Sequence, residues 1–250
     1  MDSASIDTRI DVARTRSAMY SFLSKSLLYP TREVVVAIHG LTEELGLLNA
    51  TDPEVENVRL FLQREGSVEV LESEYNRLFA HLGSAKCPPY ETEYGYDNVF
   101  QKTQAMADIA GFYTAFGLEV GSSNTERVDF ISTEFEFMSY LALHEVYACE
   151  HGEAEHLEVC SEAQRKFVQD HVGRWVSIFS QVLLNATTNP FYLWLARRVS
   201  EFTDDECRLL CVSPDRVAGP NRAEASSPEP FDCSMCLCEP TKRDKVNGGG

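Results

Sequence analysis

The chain has 250 residues, 44% hydrophobic and 24% charged, enough to bury a full core in one large domain or two small ones. Its 22 Lys and Arg stand against 39 Asp and Glu, a net charge of −17, which excludes a protein built to neutralise the phosphates of nucleic acid or to rest on anionic lipid. No basic segment followed by an apolar one opens the chain and no run approaches about 18 uninterrupted apolar residues, so neither an export signal nor a membrane span is expected and the cytoplasm is the default compartment.

Met19, Tyr20, Leu23 and Leu27 recur at helical spacing up to Pro30, which predicts an amphipathic helix over 11–29. A short helix over 33–39 is expected to end at Gly40. Asp52 and Pro53 offer an N-cap and a first-turn proline to a third helix, whose face carries Val55, Val58 and Leu62 and which Gly66 closes. A fourth helix aligns Val68, Leu71, Tyr75, Leu78, Phe79 and Leu82. The loop from Cys87 to Tyr96 then breaks the pattern with two prolines and a glycine, and it is unusually aromatic and acidic.

Met106, Ile109, Ala110 and Tyr113 define a fifth helix from Asn98 to Phe116, with Gly117 as its stop. After a polar loop, Asp129 is placed to cap a sixth helix carrying Ile131, Phe135, Met138 and Ala142. A long seventh helix holds Val168, His171, Trp175, Ile178 and Val182, and Asn189-Pro190 starts an eighth that runs to Phe202. No run alternates apolar and polar residues between turn signals, so the expected fold is all-α, a single domain of about eight helices over 1–212. Residues 213–250 read as a flexible linker and a Cys-rich tail, being rich in Pro, Ser, Ala and Gly without a periodic apolar face. All but one of the 17 excess negative charges fall within 1–212, so the acidity belongs to the folded part.

Catalytic signatures are absent. The sequence contains no G-x-x-x-x-G-K-[ST], G-x-G-x-x-G or G-x-S-x-G, and Cys87, beside Pro88, has no local partner pattern. Glu72 and Glu74, two apart on a helix, do not face each other. Glu153 and His156 form one Glu-x-x-His pair, but a di-metal carboxylate site needs two, and the hydrophilic stretch 151–156 reads as a solvated helix start. His171, on an apolar helix face, reads as a core histidine, and Arg197-Arg198 as an exposed pair within a helix.

Four segments occur in a distinctive order: Glu74-Tyr-Asn-Arg-Leu-Phe79, Cys87-Pro-Pro-Tyr-Glu-Thr-Glu-Tyr-Gly95, Met106-Ala-Asp-Ile-Ala-Gly-Phe-Tyr113, and Glu126 through Met138. Together they resemble the TorD/DmsD/NarJ family of redox-enzyme maturation chaperones, over most of residues 11–202. Tyr75, Leu78 and Phe79 fit the family's Tyr-x-x-Leu-Phe helix, and Pro89, Tyr90, Glu91 and Tyr94 its Pro-Tyr-Glu loop. Glu126, Asp129, Glu134, Glu136, Phe137 and Met138 fit its Glu-x-x-Asp-His turn and following helix, with Phe130 in place of the histidine.

The resemblance implies an all-helical, non-enzymatic chaperone that requires no cofactor of its own. Its partner would be the catalytic subunit of a molybdopterin oxidoreductase of the dimethyl-sulfoxide-reductase family, held by an N-terminal or twin-arginine peptide until cofactor insertion. Either a monomer or a homodimer fits, because exchange of helices between protomers is known for the fold. A cationic and apolar leader calls for carboxylates beside aromatic rings. On that ground Tyr75, Tyr90, Glu91, Glu93, Tyr94, Glu126 and Asp129 are the candidate client-binding residues, with helix capping the alternative reading for Asp129 above all.

The C-terminal thiols stand outside that pattern. Cys233, Cys236 and Cys238 are candidate ligands for zinc or an iron–sulfur cluster, since closely spaced thiolates suit soft metals, and Cys207 and Cys211 at i and i+4 are candidates to complete a four-sulfur site. A reduced, reactive tail is the competing reading. The alternative function is therefore a metal- or redox-responsive regulatory protein on the same helical core.

Overall fold

A computed structural model describes residues 3–47, 53–80, 85–118 and 126–221, which form nine α-helices and no strand among them. Pro30 fixes the first boundary. Helix α1, Ser3–Ser26, stops at the residue whose carbonyl the proline ring would strike, and Leu27 closes a tight turn onto Ser24 O at 3.2 Å. The Thr31 hydroxyl accepts from Val34 N at 3.3 Å to cap α2, Arg32–Glu44. The expected stop at Gly40 is overridden: α2 continues because Thr42 is buried and Leu41 packs on the core beyond it. Helices α3, Pro53–Gln63, and α4, Ser67–Phe79, follow the apolar spacing, with Gly66 in left-handed backbone ahead of α4.

Asn98 caps α5, Val99–Ala115, through Gln101 N at 3.0 Å. Helix α6, Ile131–His151, begins after Phe130, so Asp129 is not its cap. Gly152, at φ 69°, reverses the chain into α7, Ala154–Phe167. The seventh helix read over Val168 to Val182 is two pieces in line, a π-helical turn at Val168–Val172 and α8, Gly173–Ala186, and α7 ahead of it is a helix the sequence reading did not separate. Asn189 accepts from Phe191 N and Tyr192 N at 3.0 and 3.4 Å to start α9, Pro190–Leu209, which outruns the expected end at Phe202 because Thr203, Glu206 and Cys207 are also buried.

Helix α1 lies along α6, α6 against α7, α8 against α9, and α3 against α9. Small residues let α1 and α6 approach closely. Ser139 Oγ donates to Ser17 O at 2.9 Å and Ser132 Oγ to Ser24 O at 2.8 Å, so hydroxyls satisfy carbonyls across the seam. Between the helices Trp175, Trp194, Tyr20, Tyr192, Phe22, Phe135, Phe167 and Phe179 are fully buried. Each such side chain contributes about 1.5–3 kcal/mol by leaving water, which makes this the main source of stability.

Residues 213–221, read as the start of a linker, are held against the helical body. Residues 213–221 cross back over α8 and the 87–96 loop: Ser213 N donates to Gln169 Oε1 at 3.0 Å, Val217 N to Arg174 O at 3.0 Å, and Asn221 N to Glu93 O at 2.7 Å. Backbone hydrogen bonds of this kind are invisible to a composition argument, which sees only Pro, Ala and Gly.

Candidate functional site

The 87–96 loop and the 126–130 turn are zipped together. Glu91 N donates to Asp129 O and Ile131 N to Pro89 O, both at 3.0 Å, and Tyr90 pairs with Phe130 in an isolated bridge. At the centre of the zip Asp129, fully buried, accepts from Thr92 N at 3.1 Å, the Thr92 hydroxyl at 2.8 Å, and Arg127 at 2.9 and 2.7 Å. Asp129 therefore caps the 3₁₀ turn at Glu91–Glu93, across the zip, in place of the helix that follows it in sequence. Burial alone pulls the Arg127 guanidinium down, but Asp129 and Glu93 outweigh it and hold its pKa above the ordinary value.

Glu91 is also buried. Its carboxylate accepts from the Tyr96 hydroxyl at 2.5 Å and meets His171 Nδ1 at 3.0 Å, while His171 Nε2 lies 3.2 Å from Asp108. His171 sits on the π-helical turn, the kind of widened turn that often marks functional positions, and there it reaches both acids. Burial pulls its pKa down, yet Glu91, Asp108 and Asp170 outweigh burial and raise it. Behind this pair Glu134 accepts from Trp175 Nε1 at 3.2 Å, its other oxygen has no hydrogen-bond partner, and burial pushes its pKa well above the ordinary carboxyl value, as do Glu91 and Asp129. The cluster is thus compensated by Arg127 and His171, with Glu134 biased towards its neutral acid form.

The structure gives the seven candidates unequal positions. Glu91, Tyr94 and Asp129 are interior: Tyr94 donates to Pro88 O at 2.9 Å and packs its ring 5.2 Å from Trp175. Tyr75, Tyr90, Glu93 and Glu126 keep access to solvent. The Tyr90 hydroxyl donates to Glu126 at 2.8 Å, Arg127 lies 4.6 Å over the Tyr90 ring, and Tyr75 stacks edge-on between Tyr29 and Phe79. Burial, then Glu126, raises the pKa of both Tyr75 and Tyr90, so both remain hydroxyl donors. Glu93 bridges Lys102 and Arg127, each at 3.2 Å.

An open cleft of about 780 Å³ adjoins the loop and was not legible in the sequence. Tyr96, Asp108, Asp170, His171, Arg174 and Asp215 line it, drawn from the loop, α5, the π turn, α8 and the strap at 213–221. Gln101 and Gln104 of α5 also line the cleft, and the first residues of that helix, Val99 and Phe100, are 79% and 77% exposed. Asp215 falls in the segment whose composition reads as linker, and only the strap's return path and the π turn bring it together with Asp108 and Asp170. Cys233, Cys236 and Cys238 lie outside the described residues. Cys207 and Cys211 do not share a helical face: α9 ends at Leu209, Cys207 is buried, and Cys211 is exposed in left-handed backbone at φ 52°.

Fold and site define an all-helical protein that presents carboxylates and aromatic rings around one loop and one cleft. A family model described as nitrate reductase delta subunit matches residues 46–181, more than half of the chain, and the chain belongs to this TorD/NarJ family of redox-enzyme maturation chaperones. It is similar to the perchlorate reductase assembly chaperone protein of Dechloromonas aromatica, 23% identical over 218 residues that cover 82% of this chain and 93% of the relative. The chlorate reductase assembly chaperone protein of Ideonella dechloratans is 28% identical over 183 residues, covering 71% and 81%. Chaperone protein TorD of Vibrio parahaemolyticus is 21% identical over 181 residues, covering 72% and 81%. No helix among the described residues is long and apolar enough to cross a membrane.

Proposed function

We propose that this chain is a cytoplasmic assembly chaperone, without catalytic activity, for the catalytic subunit of a molybdopterin oxidoreductase of the dimethyl-sulfoxide-reductase family. It binds the subunit's N-terminal or twin-arginine peptide and releases it after cofactor insertion, before export. Membership of a chaperone family supports the general role, and one observation carries the finer reading: the 87–96 loop joins an aromatic ledge to an acidic cleft. Tyr75, Tyr90, Glu93 and Glu126 form the ledge, while Asp108, Asp170 and Asp215 face the cleft against Arg174 and His171.

Paired arginines suit such a cleft, because partly desolvated guanidinium–carboxylate contacts are strong and directional, and the apolar stretch after them has the exposed Val99 and Phe100 to rest on. Glu91 and Asp129 act indirectly by holding the loop, so they are positioning residues and do not touch the peptide.

The test is a titration of a synthetic peptide, two adjacent arginines followed by an apolar run, into wild type, Glu93→Gln/Glu126→Gln and Asp108→Asn/Asp170→Asn/Asp215→Asn at two ionic strengths. The proposal expects weaker binding and a shallower salt slope for the cleft variant, the ledge variant, or both. Unchanged affinity and slope in both variants would refute it.

A further inference from the structure

Away from the loop, the α6–α7 hairpin brings three metal-ligating side chains together. His144 on α6 and His156 and Cys160 on α7 have ligand atoms that all lie within 4.8 Å of one another. His156 and Cys160 are i and i+4 on one helix, hence on one face, and the reversal at Gly152 sets that face against His144. His144 Nδ1 and His156 Nε2 are 3.3 Å apart. A tetrahedral ion with metal–nitrogen bonds of about 2.0–2.1 Å separates two such nitrogens by about 3.3–3.4 Å, so this edge of a zinc polyhedron already exists.

Glu153 supplies the supporting contact. Its Oε2 lies 3.0 Å from His156 Nδ1; in the tautomer that carries its proton on Nδ1, Glu153 accepts that proton and Nε2, 3.3 Å from His144 Nδ1, keeps its lone pair for a metal. The Tyr140 ring packs 4.2 Å from the His144 ring and restrains it from the other side. Cys160 is fully buried, whereas His156 keeps 31% of its side chain exposed, so the cluster is closed at the thiol and open to solvent at the imidazole. A thiol with two imidazoles favours zinc or another borderline metal over magnesium or calcium.

We propose that His144, His156 and Cys160 bind one zinc ion, with Glu153 orienting His156 and water as the fourth ligand. Binding converts the Cys160 thiol to a zinc-bound thiolate and releases its proton to solvent; no oxidant or reductant is involved. The ion pins α7 to α6 just ahead of the π-helical turn that carries His171. The ligand set does not include Cys233, Cys236 or Cys238 and does not depend on the client reading.

The test uses the full chain with Cys211, Cys233, Cys236 and Cys238 replaced by Ser, titrated anaerobically with cobalt(II) as the spectroscopic probe and then with zinc. One equivalent of cobalt should give tetrahedral visible bands and a thiolate-to-cobalt charge-transfer band, both lost when zinc displaces it. Cys160→Ser should remove the charge-transfer band, and Glu153→Gln should weaken binding about 10–100-fold. His156→Asn, at a partly exposed position, should weaken binding at least about tenfold and decides the matter if Cys160→Ser fails to fold. Absence of stoichiometric binding, a charge-transfer band that survives Cys160→Ser, or undiminished affinity in His156→Asn would overturn the site.

Discussion

Arg16 holds a buried ion-pair network whose loss should destabilise this domain strongly. Its guanidinium grips Glu206 with two bonds of 2.7 and 2.6 Å and reaches Glu145 at 3.3 Å, joining α1 to α9 and α6. Side-chain exposures of 8%, 3% and 9% place all three charges out of water, where the Tyr20 hydroxyl also donates to Glu206 at 2.8 Å. Burial alone pulls the Arg16 pKa down, but the contact with Glu206 outweighs it and raises it, so the cation persists at every pH at which the protein folds. Arg16→Ala leaves Glu206 buried with the Tyr20 hydroxyl as its remaining donor in this network.

Breaking one side of a buried pair costs about 3–5 kcal/mol, whereas replacing the whole set by apolar residues is often neutral. At about 2–4 °C per kcal/mol for a domain of this size, Arg16→Ala should lower Tm by about 6–20 °C. The triple variant Arg16→Met/Tyr20→Phe/Glu206→Leu, which strands no buried partner at Glu206, should recover most of that loss. Thermal and urea unfolding followed by far-UV circular dichroism measure the Tm and free-energy changes of both variants. A cost below about 1 kcal/mol for Arg16→Ala, or an equal cost for the triple variant, would refute the reasoning.

Two further outcomes follow from the loop. His171 has a raised folded-state pKa, so its contribution to stability is complete below about pH 6.5 and is lost as pH rises through the folded value; the raised Glu134 acts in the same direction. Urea midpoints should therefore fall from about pH 6 to about pH 8, and His171→Gln should flatten that slope; an unchanged slope would exclude His171 as its source. Gly95, at φ 74°, has no room for a side chain, because a Cβ there would lie 2.4 Å from Val217 Cγ1. Gly95→Ala should lift the 213–221 strap and speed tryptic cleavage after Arg216, Val217→Ala should partly reverse this, and wild-type cleavage rates in Gly95→Ala would contradict it.

Much of the helical framework was legible because its signals are local. Pro30, Asn98 and Asn189-Pro190 mark boundaries through sterics and capping within one turn, and the spacing of Leu71, Leu78 and Phe79 marks the buried face of α4. The misread boundaries are those where packing outweighs local preference. Gly40 is carried inside α2 by the burial of Thr42, and Asp129 turns from the helix it precedes to the loop it faces. The same limit applies to the site: the sequence brought Tyr90, Glu91, Glu126 and Asp129 into one region by motif order, yet which of them are interior depended on the zip between two loops distant in sequence.

The sequence by itself determined that this is an acidic, helical chain with a carboxylate- and aromatic-rich loop, because charge sums along a chain and helical periodicity repeats within a few residues. The tertiary structure alone decided where the carboxylates are spent. It enclosed Glu91 and Asp129, opened a cleft between Asp108, Asp170 and Asp215, and set His144 against His156 and Cys160 across a glycine reversal. Along the sequence, Glu153 and His156 were an unaccompanied pair on a hydrophilic stretch. Their partner lies on the preceding helix, and proximity across a hairpin is fixed by how helix faces pack, which no local spacing encodes.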